Sequence, residues 1–278
     1  MWSGKTATNN KKTPDMKKKY RLQKKRCIKL TVKEQLVFTL VRLRRRPSLL
    51  TLCTTFGIST GNGSKIFITW VLFLEKELQF LLDFSTLSDM EGLPRPKVYK
   101  EWKYLKLRGI IDCTEFYIEK PSLPSSQRRA YSQYKSYNTG KLLVSLSPIC
   151  HLNFVSKLFS GSISDKEIVR KSGFLEQINP EDCIMADKGF NIQDLLALRG
   201  AYLIAPPIMM KDKVSSRAST ATRRVASTRV HVERAIRKLK CFAILQGVVP
   251  LTFKAYISSI IRVCAAIINL QPSLIRME

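Results

Sequence analysis

The run Arg108-Gly109-Ile110-Ile111-Asp112-Cys113-Thr114-Glu115-Phe116-Tyr117-Ile118 constrains this chain more than any other stretch. Its β-branched and aromatic residues predict a strand, yet a carboxylate, Asp112, sits in its apolar interior. Burying an ionised group without a partner is costly. A chain with 48 basic and 21 acidic residues, net charge +27, has few acids to place there. Two more acids stand in comparable settings. Asp187 closes the apolar run Cys183-Ile184-Met185-Ala186 and precedes Lys188-Gly189-Phe190. Glu233 lies within 228–242, where apolar residues at 232, 235, 236, 239 and 242 recur with helical period.

Carboxylates at strand ends and on a facing helix offer hard oxygen ligands to divalent metal. Two such ions, roughly 4 Å apart, clamp the attacking and leaving oxygens of a phosphodiester displacement. Each acid also has a plain structural reading. Glu233 precedes Arg237 by four residues, a common stabilising helix pair. Asp187 could cap the turn before Gly189. Glu115, three residues beyond Asp112, points to the opposite face of a strand and reads as a surface or supporting group. The residues by themselves leave these readings open.

Strands are expected at 108–118, 141–147, 152–159 and 183–187, and helices at 165–171, 191–199 and 228–242. Strands first, then strands alternating with helices, predict an α/β fold with a mixed sheet flanked by helices on both faces. In open α/β sheets ligands gather near strand carboxyl ends, which is where Asp187 stands.

With 278 residues, the chain is long enough for one large domain and a smaller one. Residues 1–26 hold ten Lys or Arg and one Asp and read as a disordered basic tail. Its clusters at 17–19 and 24–26 fit a nuclear-import signal, and so a nuclear protein, or a solvated arm that touches phosphates. Residues 27–82 read as an all-helical region. Thr31 and Glu34 form a capping-box pattern, followed by an apolar face of Val32, Leu36, Val37, Leu40, Val41 and Leu43. Residues 49–56, a turn at 57–59 and a helix through 66–70 have helix-turn-helix spacing. The alternative is a helical bundle packed on the rest of the chain. Gly61 and Gly63 are expected to weaken the start of the second helix. The region should then read little sequence and touch phosphates through Arg44, Arg45, Arg46 and Lys65. Gly92, Pro94 and Pro96 mark 83–107 as a linker. Residues 108–272 form the main domain. Within it, 119–140 interleaves Tyr131, Tyr134 and Tyr137 with Arg128, Arg129 and Lys135, a pattern suited to stacking and phosphate contact or to an exposed hairpin. Residues 211–229 read as a mobile loop.

The basic excess suits a polyanion, most commonly nucleic acid. No uncharged apolar stretch reaches the length of a membrane-spanning helix, and 257–270, which contains Arg262, reads as a core helix. The N-terminus lacks the apolar segment of a secretory signal. Seven cysteines with no Cys-x-x-Cys spacing argue for reduced, buried thiols of an intracellular protein and against a zinc site. His231, though close to Glu233 in sequence, is given no catalytic role.

Several segments, in this order, resemble the catalytic domain of eukaryotic DDE-superfamily transposases, in the branch grouped with Harbinger and IS4/IS5-type elements. They are Ile111-Asp112-Cys113-Thr114-Glu115, Tyr131-Ser132-Gln133-Tyr134-Lys135, Phe154-Val155-Ser156-Lys157 and Gly161-Ser162-Ile163-Ser164-Asp165-Lys166. Met185-Ala186-Asp187-Lys188-Gly189-Phe190, Arg229-Val230-His231-Val232-Glu233-Arg234-Ala235-Ile236 and Asn269-Leu270-Gln271-Pro272 complete the set. The resemblance implies an RNase H-like core. In it Asp112, Asp187 and Glu233 hold two Mg²⁺ or Mn²⁺ ions, with Asp165 matching a further acid. It implies a transposase-type endonuclease that cuts DNA and can transfer the freed 3′ end. Arg128, Arg129, Lys135, Lys188, Arg234, Arg237 and Lys238, with Lys65 in the helical region, are the candidate DNA contacts. Double-stranded DNA is the expected partner, and a second copy of the chain or a separate DNA-binding protein would be further ones. Two rivals stay open: a domesticated relative that binds DNA without cutting it, and a nuclease for other substrates such as RNA–DNA hybrids.

Overall fold

In the computed structural model of the chain, residues 29–96, 99–100, 104, 106–187, 189–205 and 230–272 are described. The basic tail, the loop at 211–229 and Lys188 lie outside them. Among the described residues no helix is long and apolar enough to cross a membrane. The six cysteines described are all free.

The described residues begin with three helices: α1 (Val32–Arg45), α2 (Leu49–Thr55) and α3 (Thr60–Glu77). The capping box forms as expected. The Thr31 hydroxyl accepts from the Glu34 N–H at 3.3 Å, and the Thr31 N–H donates to Glu34 Oε2 at 2.7 Å. The buried face of α1 differs from expectation. Phe38 and Leu43 are fully buried, while Val37 and Leu40 are 50% and 37% exposed. Apolar residues are spread so widely around α1 that tertiary packing, not periodicity, selects the inward stripe. The turn after α2 closes in a Schellman arrangement. Gly57 takes φ +65°, its N–H reaches the Thr54 carbonyl, and the Ile58 N–H reaches the Cys53 carbonyl at 2.9 Å.

The second helix forms across both glycines. α3 begins at Thr60, capped by the Ser59 hydroxyl, and runs through both glycines. A Cβ at Gly63 would stand 2.2 Å from Cys53 Sγ and 3.1 Å from Phe38 Cζ. Gly63 is therefore what lets α3 cross α1 and α2 closely. Gly61 has open space around it.

Among the described residues the sheet has seven strands. β1 (Leu107–Tyr117) is central and antiparallel to β3 (Tyr137–Leu146), with Asp112 opposite Val144. On its other edge β1 is parallel to β6 (Cys183–Met185), and β6 is parallel to β7 (Tyr202–Ile204). The outer edge of β3 carries β2 (Tyr131–Ser132), β4 (Leu152–Val155) and β5 (Phe159–Ser160). An antiparallel set continued by parallel strands is the RNase H-like mixed sheet expected. The strand expected at 152–159 is split in two. Ser156 turns its hydroxyl to the Leu143 N–H, and Leu158 folds onto Gly140, where a Cβ would stand 2.5 Å from it.

Helices cover both faces. One face packs α5 (Asp165–Lys171) and α6 (Gln193–Ala197) through a core containing Ile111, Ile168, Ile184 and Ala186. The other packs α7 (230–239) and α8 (Ile257–Asn269) through Ile110, Phe116, Met185, Val232 and Ile260. A short helix, α4 (Pro124–Ala130), interrupts the polar segment 119–140.

The N-terminal helices share that second core. Phe38, Leu43, Leu52, Phe67 and Val71 are continuous with Val232 and Cys264. Arg262 of α8 pairs with Glu75 of α3 at 3.1 Å. Arg44 donates to the Cys241 carbonyl at 3.0 Å, and Arg46 donates to the carbonyls of Gln246 and Val248. Both guanidiniums thus bind main-chain oxygens of the main domain, a role beyond the phosphate contact expected of them. Arg44, Arg45 and Lys65 are exposed and Arg46 is half-buried. The segment expected as a linker also packs down. Phe84 and Met90 are buried, and Arg108, 2% exposed, donates to the carbonyls of Phe84 and Ser85 and pairs with buried Asp182 at 2.6 Å.

Candidate active site

The register of β1 and β6 decides where the acids meet. Ile110 is the parallel partner of Met185. Two residues beyond this pair stand Asp112, still within β1, and Asp187, just past the end of β6. Side chains alternate along extended backbone. Ile110 and Met185 both belong to the core under α7 and α8, and Ile111, Ile184 and Ala186 to the opposite one. Asp112 and Asp187 therefore face the α7 side together. The Ala186 N–H still donates to the Ile204 carbonyl, so the extended path continues to the edge of Asp187. There the Phe190 N–H turns back to the Asp187 carbonyl at 2.9 Å.

Both acids are half-buried and line a cleft of about 570 Å³. Asp112 Oδ1 accepts the Cys113 N–H at 2.8 Å, which fixes the carboxylate against its own strand. Asp165, first residue of α5, enters the cleft from the Cys113 side. Its Oδ1 lies 2.6 Å from Lys141 Nζ. Burial, then the Asp165 charge, pushes the Cys113 thiol far above its ordinary range, so it stays protonated. Glu115 also lines the cleft and accepts the Thr139 hydroxyl at 2.8 Å. A second sequence position could have flagged this wall: Thr139 and Glu115 fall on facing strands.

Glu233 sits on the exposed rim of α7, whose Val232, Ala235, Ile236 and Leu239 are buried. It is not among the residues lining the cleft. Lys240, seven residues later and so on the same helical stripe, does line it. Burial holds the Lys240 ammonium below its ordinary range and Lys135 adds to this, while Asp112 and Glu115 pull it up. Its Nζ stands 5.5 Å over the Phe116 ring. The sequence signal for Lys240 was its spacing from Glu233.

The candidate DNA contacts scatter. Lys135 lines the cleft, with Nζ 4.5 Å from the Tyr134 ring. Arg128 and Arg129 are exposed on α4 beside it, and Arg237 is exposed on α7. Arg234 and Lys238 fall on the opposite rim of α7, with His231, His151 and Asn269, around a separate small cavity. His231 packs edge-on against Tyr99 at 5.4 Å, and burial lowers its pKa and that of His151.

Among the described residues no group of three or more His, Cys, Asp or Glu is gathered closely enough to hold a metal ion. The donor chemistry of the cleft still fits a hard divalent cation. Asp112 and Asp187 both offer carboxylate oxygens to it.

Two family models match the chain. The model described as DDE superfamily endonuclease covers residues 111–269, and that described as helix-turn-helix of DDE superfamily endonuclease covers residues 29–80. No curated protein matches the chain significantly. The first match spans more than half of the sequence and contains Asp112, Asp187 and Glu233, and the second coincides with α1 to α3. The chain thus belongs to the DDE superfamily endonucleases.

Proposed function

We propose that the chain cuts phosphodiesters of double-stranded DNA as a transposase-type endonuclease, with divalent metal as its cofactor. The observation that carries this reading is the cleft that Asp112 and Asp187 both line, two residues beyond the last paired positions of β1 and β6. Asp112 and Asp187 would hold the metal, Mg²⁺ or Mn²⁺ and two ions in the full site, with Glu233 contributing from the rim of α7. When bound, such ions activate a water and neutralise the leaving 3′-oxygen.

The chain's own groups prepare the substrate. The Cys113 N–H orients the Asp112 carboxylate. Lys135, Lys141 and Lys240 bring positive charge to the cleft wall and draw in the phosphate backbone. Of these, Lys141 is engaged by Asp165, so Lys135 and Lys240 do most of this work. In strand transfer the freed 3′-hydroxyl replaces water as the nucleophile on target DNA. The basic tail at 1–26 supports nuclear import, and the net charge of +27 supports DNA as the partner. A second copy of the chain or a separate DNA-binding protein would supply sequence choice.

The test is a comparison of substrates. The full chain is offered linear duplex DNA and an RNA–DNA hybrid with Mg²⁺, with Mn²⁺ and with chelator. Cutting of duplex DNA only when metal is present supports the reading. Cutting of the hybrid alone, or duplex binding with no cutting under any condition, overturns it.

A further inference from the structure

We propose that the surface leading from the cleft to Asn138 captures one unpaired base of the DNA, stacked on Tyr131 and read by the Asn138 amide. This rests on the reading of the chain as a DNA endonuclease. The path is continuous. The cleft shares Tyr134, Glu115 and Lys141 with a second recess of about 380 Å³. That recess shares Arg128 and Tyr131 with a third, of about 400 Å³, which is lined in addition by Lys120, Tyr137 and Asn138.

The third recess has the chemistry of a nucleobase site. Tyr131 and Tyr137 are 45% and 40% exposed, and Tyr137 is braced edge-on by Tyr117 at 5.4 Å. Exposed rings beside cations suit a nucleotide, because every base has a π face and every nucleotide a phosphate. Tyr131 stands directly across the β2–β3 pair from Asn138. Asn138 is only 8% exposed, yet its Oδ1 meets no hydrogen-bond donor among the described residues. A buried acceptor left unmade is costly. The edge of a base, with its amine or imino N–H, satisfies it, and the amide NH₂ can answer an acceptor on the same edge. In duplex DNA that edge is occupied by the opposite base. The occupant is therefore unpaired, either flipped out or in a single-stranded flank next to the bond being cut.

The experiment uses the full chain in chelator, so that no cutting occurs. The probes are a blunt duplex and the same duplex with a short single-stranded flank that carries the fluorescent base 2-aminopurine at one position in turn. The proposal expects about tenfold tighter binding of the flanked duplex, a factor typical of stacking one base on an aromatic ring. It also expects quenching of 2-aminopurine at one flank position. Tyr131→Ala should abolish both gains while blunt-duplex affinity stays the same, and Tyr131→Phe should keep both. Equal affinity for flanked and blunt DNA, or quenching that survives Tyr131→Ala, overturns the proposal. Metal-dependent cutting of the blunt duplex is scored separately. Cutting without flank preference sinks this site alone, and flank preference without cutting sinks the endonuclease reading while leaving the base site standing.

Discussion

Two glycines in the first turns of α3 should respond to the same substitution with opposite signs. At Gly61 an added methyl meets nothing within 4 Å. Gly61→Ala therefore gains helix propensity, roughly 0.5–1 kcal/mol. At Gly63 the methyl would lie 2.2 Å from Cys53 Sγ, 3.1 Å from Phe38 Cζ and 3.5 Å from Leu49 Cδ1. Cys53 and Phe38 are 1% and 0% exposed, so neither can swing away into solvent. Overpacking a dense core costs roughly 1–3 kcal/mol, and a contact this short belongs at the upper end. Subtracting the propensity gain leaves a net loss of about 2 kcal/mol. At about 2–4 °C per kcal/mol for a chain of this size, Gly63→Ala should lower the melting temperature by roughly 4–8 °C. Gly61→Ala should raise it by about 2 °C. Thermal unfolding of the full chain followed by circular dichroism is the assay. Cys53→Ala combined with Gly63→Ala should recover part of the loss, because the sulfur in the way is gone. If both single variants shift the midpoint in the same direction and by similar amounts, the close crossing at Gly63 is not what fixes the helical unit.

Asp182→Ala should cost about 3–5 kcal/mol in urea unfolding, since it leaves the buried Arg108 guanidinium without its counter-charge. Glu181→Ala, which removes the exposed partner of Lys106, should leave the midpoint unchanged. Arg46→Ala should destabilise by roughly 1–3 kcal/mol through the lost bonds to Gln246 and Val248, with no change in the salt dependence of duplex binding. A flatter salt slope in that variant would return Arg46 to the phosphate-contact role. For the whole chain, each phosphate contact should add about −0.9 to the slope of log K against log salt. Deleting residues 1–26 should flatten that slope and leave cutting intact, as measured by filter binding and gel assay.

What the sequence makes legible here is what local patterns encode. The strand around Asp112, the α7 stripe at 232, 235, 236 and 239, the Thr31–Glu34 box and the Ile257–Asn269 core helix all follow from short-range periodicity and capping. The meeting of Asp112 and Asp187 in one cleft is different. It needs the β1–β6 register, set by contacts some seventy-five residues apart, and sequence supplied it only through resemblance. The arginines of α1 show the same limit. Arg44 and Arg46 look like any exposed cations in sequence, and only the fold reveals the carbonyls near 241–248 that they bind. Gly63 reads as a helix breaker until the buried sulfur of Cys53 is seen beside it. That Glu233 and Lys240 share one side of the α7 segment, and Arg234 and Lys238 another, follows from helical spacing once the buried stripe is known.

A shared metal site at Asp112 and Asp187 is tested most directly by the rate of duplex cutting by the full chain against Mg²⁺ or Mn²⁺ concentration, for the unaltered chain, Asp112→Asn, Asp187→Asn and Glu233→Gln. Each substitution removes an anionic oxygen donor while keeping side-chain size. A saturable metal requirement is expected. Each variant should cut slower by orders of magnitude, with duplex affinity in chelator retained. Undiminished cutting by Asp112→Asn or Asp187→Asn, or cutting by the unaltered chain without any metal, would contradict it.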